Sequence, residues 1–264
     1  IHPNWPNKRD LYVFATRNTS AGLRNQVLRV DLERRRARVI LSSIASPHSV
    51  HHGGRIVFGP DGKLYVVIGD DGRAANAQDL SANFRGKILR INPDGSIPSD
   101  NPFHTRVWAY GIRNSIGLAF DPIGGRLWQT DNGPECNDEV NLIRRGGNHG
   151  WGSSANCPNT NNSGPIPRIL PKHRFLEPVG ITGLAFCNDC GLGPDAQGDV
   201  FVGDFVGGRI RRFDLDGARN GFDAGPLPVL DYPSPVSVIS LEVAPDGRIY
   251  FSSGGRILRL ARTS

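Results

Sequence analysis

One phrase recurs five times along the 264 residues: an apolar pair, Pro-Asp-Gly or a substitute, an alternating run, a gap, and a second run ending on Arg and an aliphatic residue. The copies are "KRDLYVFATRN…NQVLRVDL", "RIVFGPDGKLYVVIGDDG…RGKILRINPDG", "GLAFDPIGGRLWQTDNG…DEVNLIRRGG", "GLAFCNDCGLGPDAQGDVFVGDFVGGRIRRFDLDG" and "LEVAPDGRIYFSSGGRILRL". The period of two, as in "KLYVVIG" and "RIYFSS", sends successive side chains to opposite faces of an extended strand. Asp61-Gly62 and Asp246-Gly247 supply the positive φ of a tight hairpin. A repeat of roughly 40 to 70 residues with several short strands each predicts a β-propeller, whose blades stack around a channel. A two-sheet sandwich is the alternative, but it has no reason to repeat one phrase five times. The expectation is an all-β chain forming a single propeller domain over residues 1–264, with no sustained helical period. Gly152 to Pro178, rich in Pro, Asn and Ser, reads as a long excursion with little strand character.

Charge and cysteine content narrow the function classes. The formal net charge is +6, but the basic residues are scattered apart from Arg34, Arg35 and Arg36, and no basic stripe is interleaved with aromatics, which argues against nucleic-acid binding. No apolar run approaches the roughly 18 residues of a membrane-spanning helix. Ile1 opens the chain and Met is absent, so a natural start and any signal peptide are expected upstream. Cys136, Cys157, Cys187 and Cys190 lie in loop-like surroundings. Disulfides pairing Cys187 with Cys190 and Cys136 with Cys157 are favoured, with a zinc site or free thiols as alternatives. Disulfides point to a periplasmic or extracellular location.

Two constellations could carry chemistry. His51 and Asp70 flank a hairpin that can bring them together, and a carboxylate on one imidazole nitrogen fixes the tautomer and raises basicity at the other. The bland reading is a histidine and an aspartate capping turns. His52 should point away from this pair. "AYGIRNSIGLAF" offers Arg113 and Asn114 before a strand, and "QTDNGPECNDEVNLI" offers Asp131, Asn132, Gly133, Pro134, Asp138 and Glu139 in a turn. Carbonyls of a Gly-Pro turn suit a hard cation such as calcium, and a planar Arg suits a carboxylate or developing oxyanion. A solvated acidic turn and an Arg salt bridge are the competing reading.

"HHGGRIVFGPDGKLYVVIGDDG", "RGKILRINPDGSIPSDNPF", "YGIRNSIGLAFDP", "DNGPECNDEVNLIRRGGNHGWG" and "GDVFVGDFVGGRIRRFDLDG", in order over nearly the whole chain, resemble the soluble pyrroloquinoline quinone-dependent sugar dehydrogenases, the glucose/sorbosone and aldose sugar dehydrogenase family. The resemblance implies a six-bladed propeller holding pyrroloquinoline quinone (PQQ) and calcium; the family's cofactor-side glutamine falls before the position where this chain begins, so that residue and the first blade are expected to be absent from it. It implies oxidation of an aldose at its anomeric carbon to the lactone, with electrons passed to an external acceptor. On this resemblance His51 is the catalytic base and Asp70 its orienting carboxylate. Arg113 and Asn114 contact the cofactor, and Gly133 and Pro134 lend carbonyls to the metal. The chain departs from the family at Val50, where the glucose enzymes carry an aspartate, at Val206, where relatives place a Lys or Arg, and at "PVSVISLEV", where they carry arginines. A non-catalytic propeller that binds a protein or glycan, and a calcium-dependent lactonase-like hydrolase, are the alternative functions.

Overall fold

The repeated turns close in the way their residues dictate. In the second repeat the Asp61 carboxylate accepts the Lys63 N–H at 3.1 Å and the Tyr65 hydroxyl at 3.0 Å, while Gly62 takes φ +70. The last repeat rebuilds the same turn: Asp246 accepts the Arg248 N–H and the Tyr250 hydroxyl, each at 3.0 Å, around Gly247 at φ +78. A short aspartate bonding the backbone two residues on is the local code for each hairpin.

The computed structural model describes residues 1–81, 83–231 and 237–262. The strands are β1 (Asp10–Thr19), β2 (Gly22–Asp31), β3 (Arg36–Ala45), β4 (Ile56–Phe58), β5 (Leu64–Ile68), β6 (Lys87–Ile91), β7 (Val107–Tyr110), β8 (Gly117–Phe120) and β9 (Leu127–Asp131). They continue with β10 (Asp138–Leu142), β11 (His173–Phe175), β12 (Ile181–Phe186), β13 (Val200–Asp204), β14 (Arg209–Leu215), β15 (Phe222–Asp231), β16 (Val238–Val243), β17 (Ile249–Ser253) and β18 (Arg256–Arg259). They form five antiparallel sheets, β1-β2-β3, β4-β5-β6-β7, β8-β9-β10-β11, β12-β13-β14-β15 and β16-β17-β18, which are the blades of a β-propeller. The one α-helix among the described residues is the single turn α1 (Ala75–Gln78).

The chain divides into two compact units, residues 1–115 with 144–170, and residues 116–143 with 171–264. In the first unit, Leu64, Val66 and Ile68 of β5 and Leu89 and Ile91 of β6 pack with Tyr12, Val27, Ile40 and Leu41 of the first sheet. Each such side chain, once buried, contributes about 1.5–3 kcal/mol. Tyr65 points to the other face of β5, edge-on to Trp108 with centroids 5.5 Å apart, so the strand is covered on both faces. In the second unit one core gathers Trp128, Val140, Phe186, Val200 and Phe213, and another gathers Phe201, Ile210, Leu241, Ile249 and Phe251.

The stretch 152–178 holds more strand than its composition predicts. β11 lies inside it and pairs with β10, Val140 opposite His173 and Glu139 opposite Arg174. Three residues between prolines carry no periodic signal of their own, and the ladder is imposed by the neighbouring strand. Cys187 and Cys190 are disulfide-linked, Cys136 and Cys157 are also disulfide-bonded, and no free cysteine occurs among the described residues. Within "PVSVISLEV", Pro235 and Val236 lie outside the described residues.

Candidate functional site

The loop from Ser46 to Arg55 joins β3 to β4 and carries both histidines of the "HH" pair. The end of β5 runs beside it through Gly69, where a Cβ would collide with the His51 carbonyl oxygen and stand 2.9 Å from that of Arg113. Only glycine admits three backbones this close. That crowding brings Asp70 to His51: the imidazole Nδ1 lies 2.6 Å from Asp70 Oδ1. Because a carboxylate only accepts, Nδ1 carries the proton and Nε2 is left as the basic nitrogen. The His51 side chain is 20% exposed and that of Asp70 2%, so the base is reachable and its partner is sealed.

Asp70 is held on every side. Its Oδ1 also accepts the Gly72 N–H at 2.9 Å, and its Oδ2 accepts the indole N–H of Trp151 at 2.8 Å. Its own N–H donates to the Arg113 carbonyl at 2.8 Å, and its carbonyl accepts from the Asn76 amide of α1 at 2.9 Å. Beneath α1, fully buried Lys87 donates to the carbonyls of Asn76, Arg85 and Ala77 at 2.6, 2.8 and 3.1 Å. Arg113 stacks its guanidinium over Trp151, 5.4 Å from the ring centroid. Arg113 is therefore tied to the dyad through both its carbonyl and Trp151, and Asn114 follows it, half-buried. His52 turns the other way, its Nδ1 2.8 Å from Ser46 Oγ. Sequence reasoning missed Trp151, which lies 81 positions from Asp70. Its signal is the flanking "GGNHGWG", an aromatic in a glycine loop.

The second constellation is a tight turn between β9 and β10. A Cβ on Gly133 would fall on the carbonyl oxygens of Cys136 and Asn137. Asp138 organises the turn: Oδ1 accepts the Gly133 N–H at 2.9 Å, and Oδ2 accepts those of Val179 at 2.8 Å and Ile181 at 3.1 Å. This carboxylate serves the backbone. What the turn offers a cation is backbone carbonyls on half-buried Gly133 and Pro134, hard oxygen donors of the kind calcium takes. No cluster of three or more His, Cys, Asp or Glu suited to a metal occurs among the described residues, so a metal here would rely on those carbonyls.

The five blades and a reachable histidine beside a sealed carboxylate make this a β-propeller with a candidate acid–base site. The chain belongs to the glucose/sorbosone dehydrogenase family, which it matches over residues 1–261. It is 30% identical to the uncharacterized protein slr1608 of Synechocystis over 98% of this chain and 69% of that one. It is 34% identical to quinoprotein glucose dehydrogenase B of Acinetobacter calcoaceticus over 57% of this chain and 38% of that enzyme. Among solved structures, an oxidoreductase from Thermus thermophilus described as a glucose dehydrogenase superposes with TM-score 0.82 at 34% identity, covering 98% of this chain and 81% of that one. The PQQ-bound aldose sugar dehydrogenase of Streptomyces coelicolor gives TM-score 0.79 at 26% identity over 98% and 77%.

Proposed function

We propose that the protein is a quinoprotein oxidoreductase that oxidises an aldose at its anomeric carbon to the lactone, in the periplasm or outside the cell, and passes the electrons to an external acceptor. The observation that carries this reading is the short His51–Asp70 contact on a partly exposed loop. His51 Nε2 takes the proton from the anomeric hydroxyl as the adjacent C–H bond breaks. Asp70 keeps the Nδ1 proton in place and stabilises the imidazolium that results, as a carboxylate does behind any general-base histidine. Trp151 and Gly72 hold the carboxylate against rotation.

Part of the donor set suits the two groups that the family relationship implies. Arg113, braced on Trp151, and Asn114 would contact PQQ, and the carbonyls of Gly133 and Pro134 would hold calcium. When bound, PQQ would supply a hydride acceptor and calcium a Lewis acid. Arg113 adds a fixed cation for the negative charge that accompanies hydride transfer. The disulfides accord with an oxidising compartment.

One observation favours a second reading, a propeller that binds a partner without catalysis. Val206, in the β13–β14 turn where a cofactor-binding cation was expected, is 72% exposed beside Phe205 at 54%. Titration with PQQ and calcium, followed by quinone absorbance and by dye reduction with a panel of aldoses, separates the two. The dehydrogenase reading expects saturable binding, turnover, and loss of turnover on chelation that calcium restores. Absence of quinone binding would overturn the dehydrogenase reading and leave the non-catalytic propeller or the lactonase-like hydrolase.

A further inference from the structure

His51 does its work from a strained position: its φ is +54, a left-handed conformation that costs a non-glycine residue about 1–2 kcal/mol. Such a residue persists only where its surroundings over-determine it. The hydrogen bond to Asp70 fixes the ring. It does not fix the path of the chain from Ser46 to His52, which must arrive so that the ring can reach Asp70.

A second carboxylate supplies that constraint. Asp71 follows Asp70, is 1% exposed, and is itself left-handed at φ +59. The turn sends the two neighbouring carboxylates into different parts of the histidine loop. Asp71 Oδ1 accepts the Ser46 hydroxyl at 3.0 Å and the His48 N–H at 3.3 Å. Its Oδ2 meets His48 Nδ1 at 3.1 Å and Arg85 at 3.4 Å. Ser46 Oγ in turn lies 2.8 Å from His52 Nδ1. Ser46, His48 and His52 thus bracket His51 on both sides, and each is tied directly or through one hydroxyl to the same buried carboxylate.

We propose that Asp71 is a positioning residue for His51: with Ser46, His48 and His52 it clamps the loop in the left-handed turn that lets the His51 ring meet Asp70. The proposal rests on the reading of His51 as the base. Asn at position 71 would turn an amide N–H₂ toward groups that are themselves donors, the His48 N–H or the Arg85 guanidinium, and release one side of the clamp.

The test uses the full chain. Without cofactor, the low-field imidazole Nδ1–H resonance of His51, assigned as the signal missing from His51→Gln, reports the contact with Asp70. In Asp71→Asn it is expected to broaden or vanish. With PQQ and calcium bound, Asp71→Asn is expected to lower kcat about 3–10-fold with KM within about twofold, and to displace the acidic limb of the kcat pH profile. Ser46→Ala, which removes one member of the clamp, is expected to weaken the same resonance and to lower kcat a few-fold, and it answers for Asp71→Asn if that variant does not fold. A wild-type resonance and a wild-type kcat in either folded variant would overturn the proposal. Lack of turnover by the wild-type enzyme would sink the base assignment instead, while the resonance would still report whether Asp71 holds the loop.

Discussion

The Asp70 turn and the Asp138 turn look alike in the sequence, each an acidic residue in a glycine-containing turn beside an apolar run, yet they are built for different work. Asp138 places both oxygens on backbone N–H groups. Asp70 places one oxygen on an imidazole that solvent can reach and the other on an indole. A buried carboxylate that binds only backbone holds a fold together, whereas one that orients a partly exposed imidazole suits the proposed proton transfer. Distinguishing them requires knowing what the carboxylate touches.

Loss of the structural carboxylate should have the largest effect. Asp138→Ala strands three backbone donors, each hydrogen bond to a charged group being worth roughly 1.5–3 kcal/mol. Chemical denaturation should therefore show a stability loss of at least about 4 kcal/mol. An unchanged midpoint would erase the contrast with Asp70.

A comparison of histidines sharpens the same contrast. His149 is fully enclosed, neither ring nitrogen has a hydrogen-bond partner among the described residues, and burial pushes its pKa down to about 4. The unfolded chain takes up this proton near the usual value of about 6.5. The contribution is therefore complete above about pH 6.5 and declines as pH falls toward 4, by up to about 3 kcal/mol. Urea unfolding of wild type and His149→Phe across that window should show a shallower decline in the variant. Parallel curves would mean that His149 is not held neutral by burial.

Asp70→Asn should give the smallest change of the three, a fall in kcat of about tenfold, close to 1.4 kcal/mol, because orientation is disturbed while the proton acceptor remains. Steady-state kinetics check it. A loss as large as that from removing the histidine would make the carboxylate more than an orienting group.

Much of the fold was legible because each blade repeats its own local code. The Asp61 and Asp246 turns use the same aspartate, glycine and tyrosine in the same roles. The His51–Asp70 contact was legible because a short hairpin returns the chain beside itself. The Trp151 contact was not, since it joins segments far apart in sequence, and neither was β11, which takes its extended form from β10. The second network stayed hidden for a subtler reason. "HH" and "DD" supply one residue each to the dyad, and where the others go depends on the left-handed turns at His51 and Asp71, which period-two alternation does not encode.

The central claim is that His51 removes the sugar proton, and a single-turnover experiment tests it most directly. Wild type and His51→Gln, each saturated with PQQ and calcium, are mixed rapidly with an aldose, and the loss of oxidised-quinone absorbance is followed. The account predicts equal cofactor affinity and a rate about 100-fold lower or more in His51→Gln. A variant that reduces its quinone at the wild-type rate would contradict it and leave the histidine a turn residue.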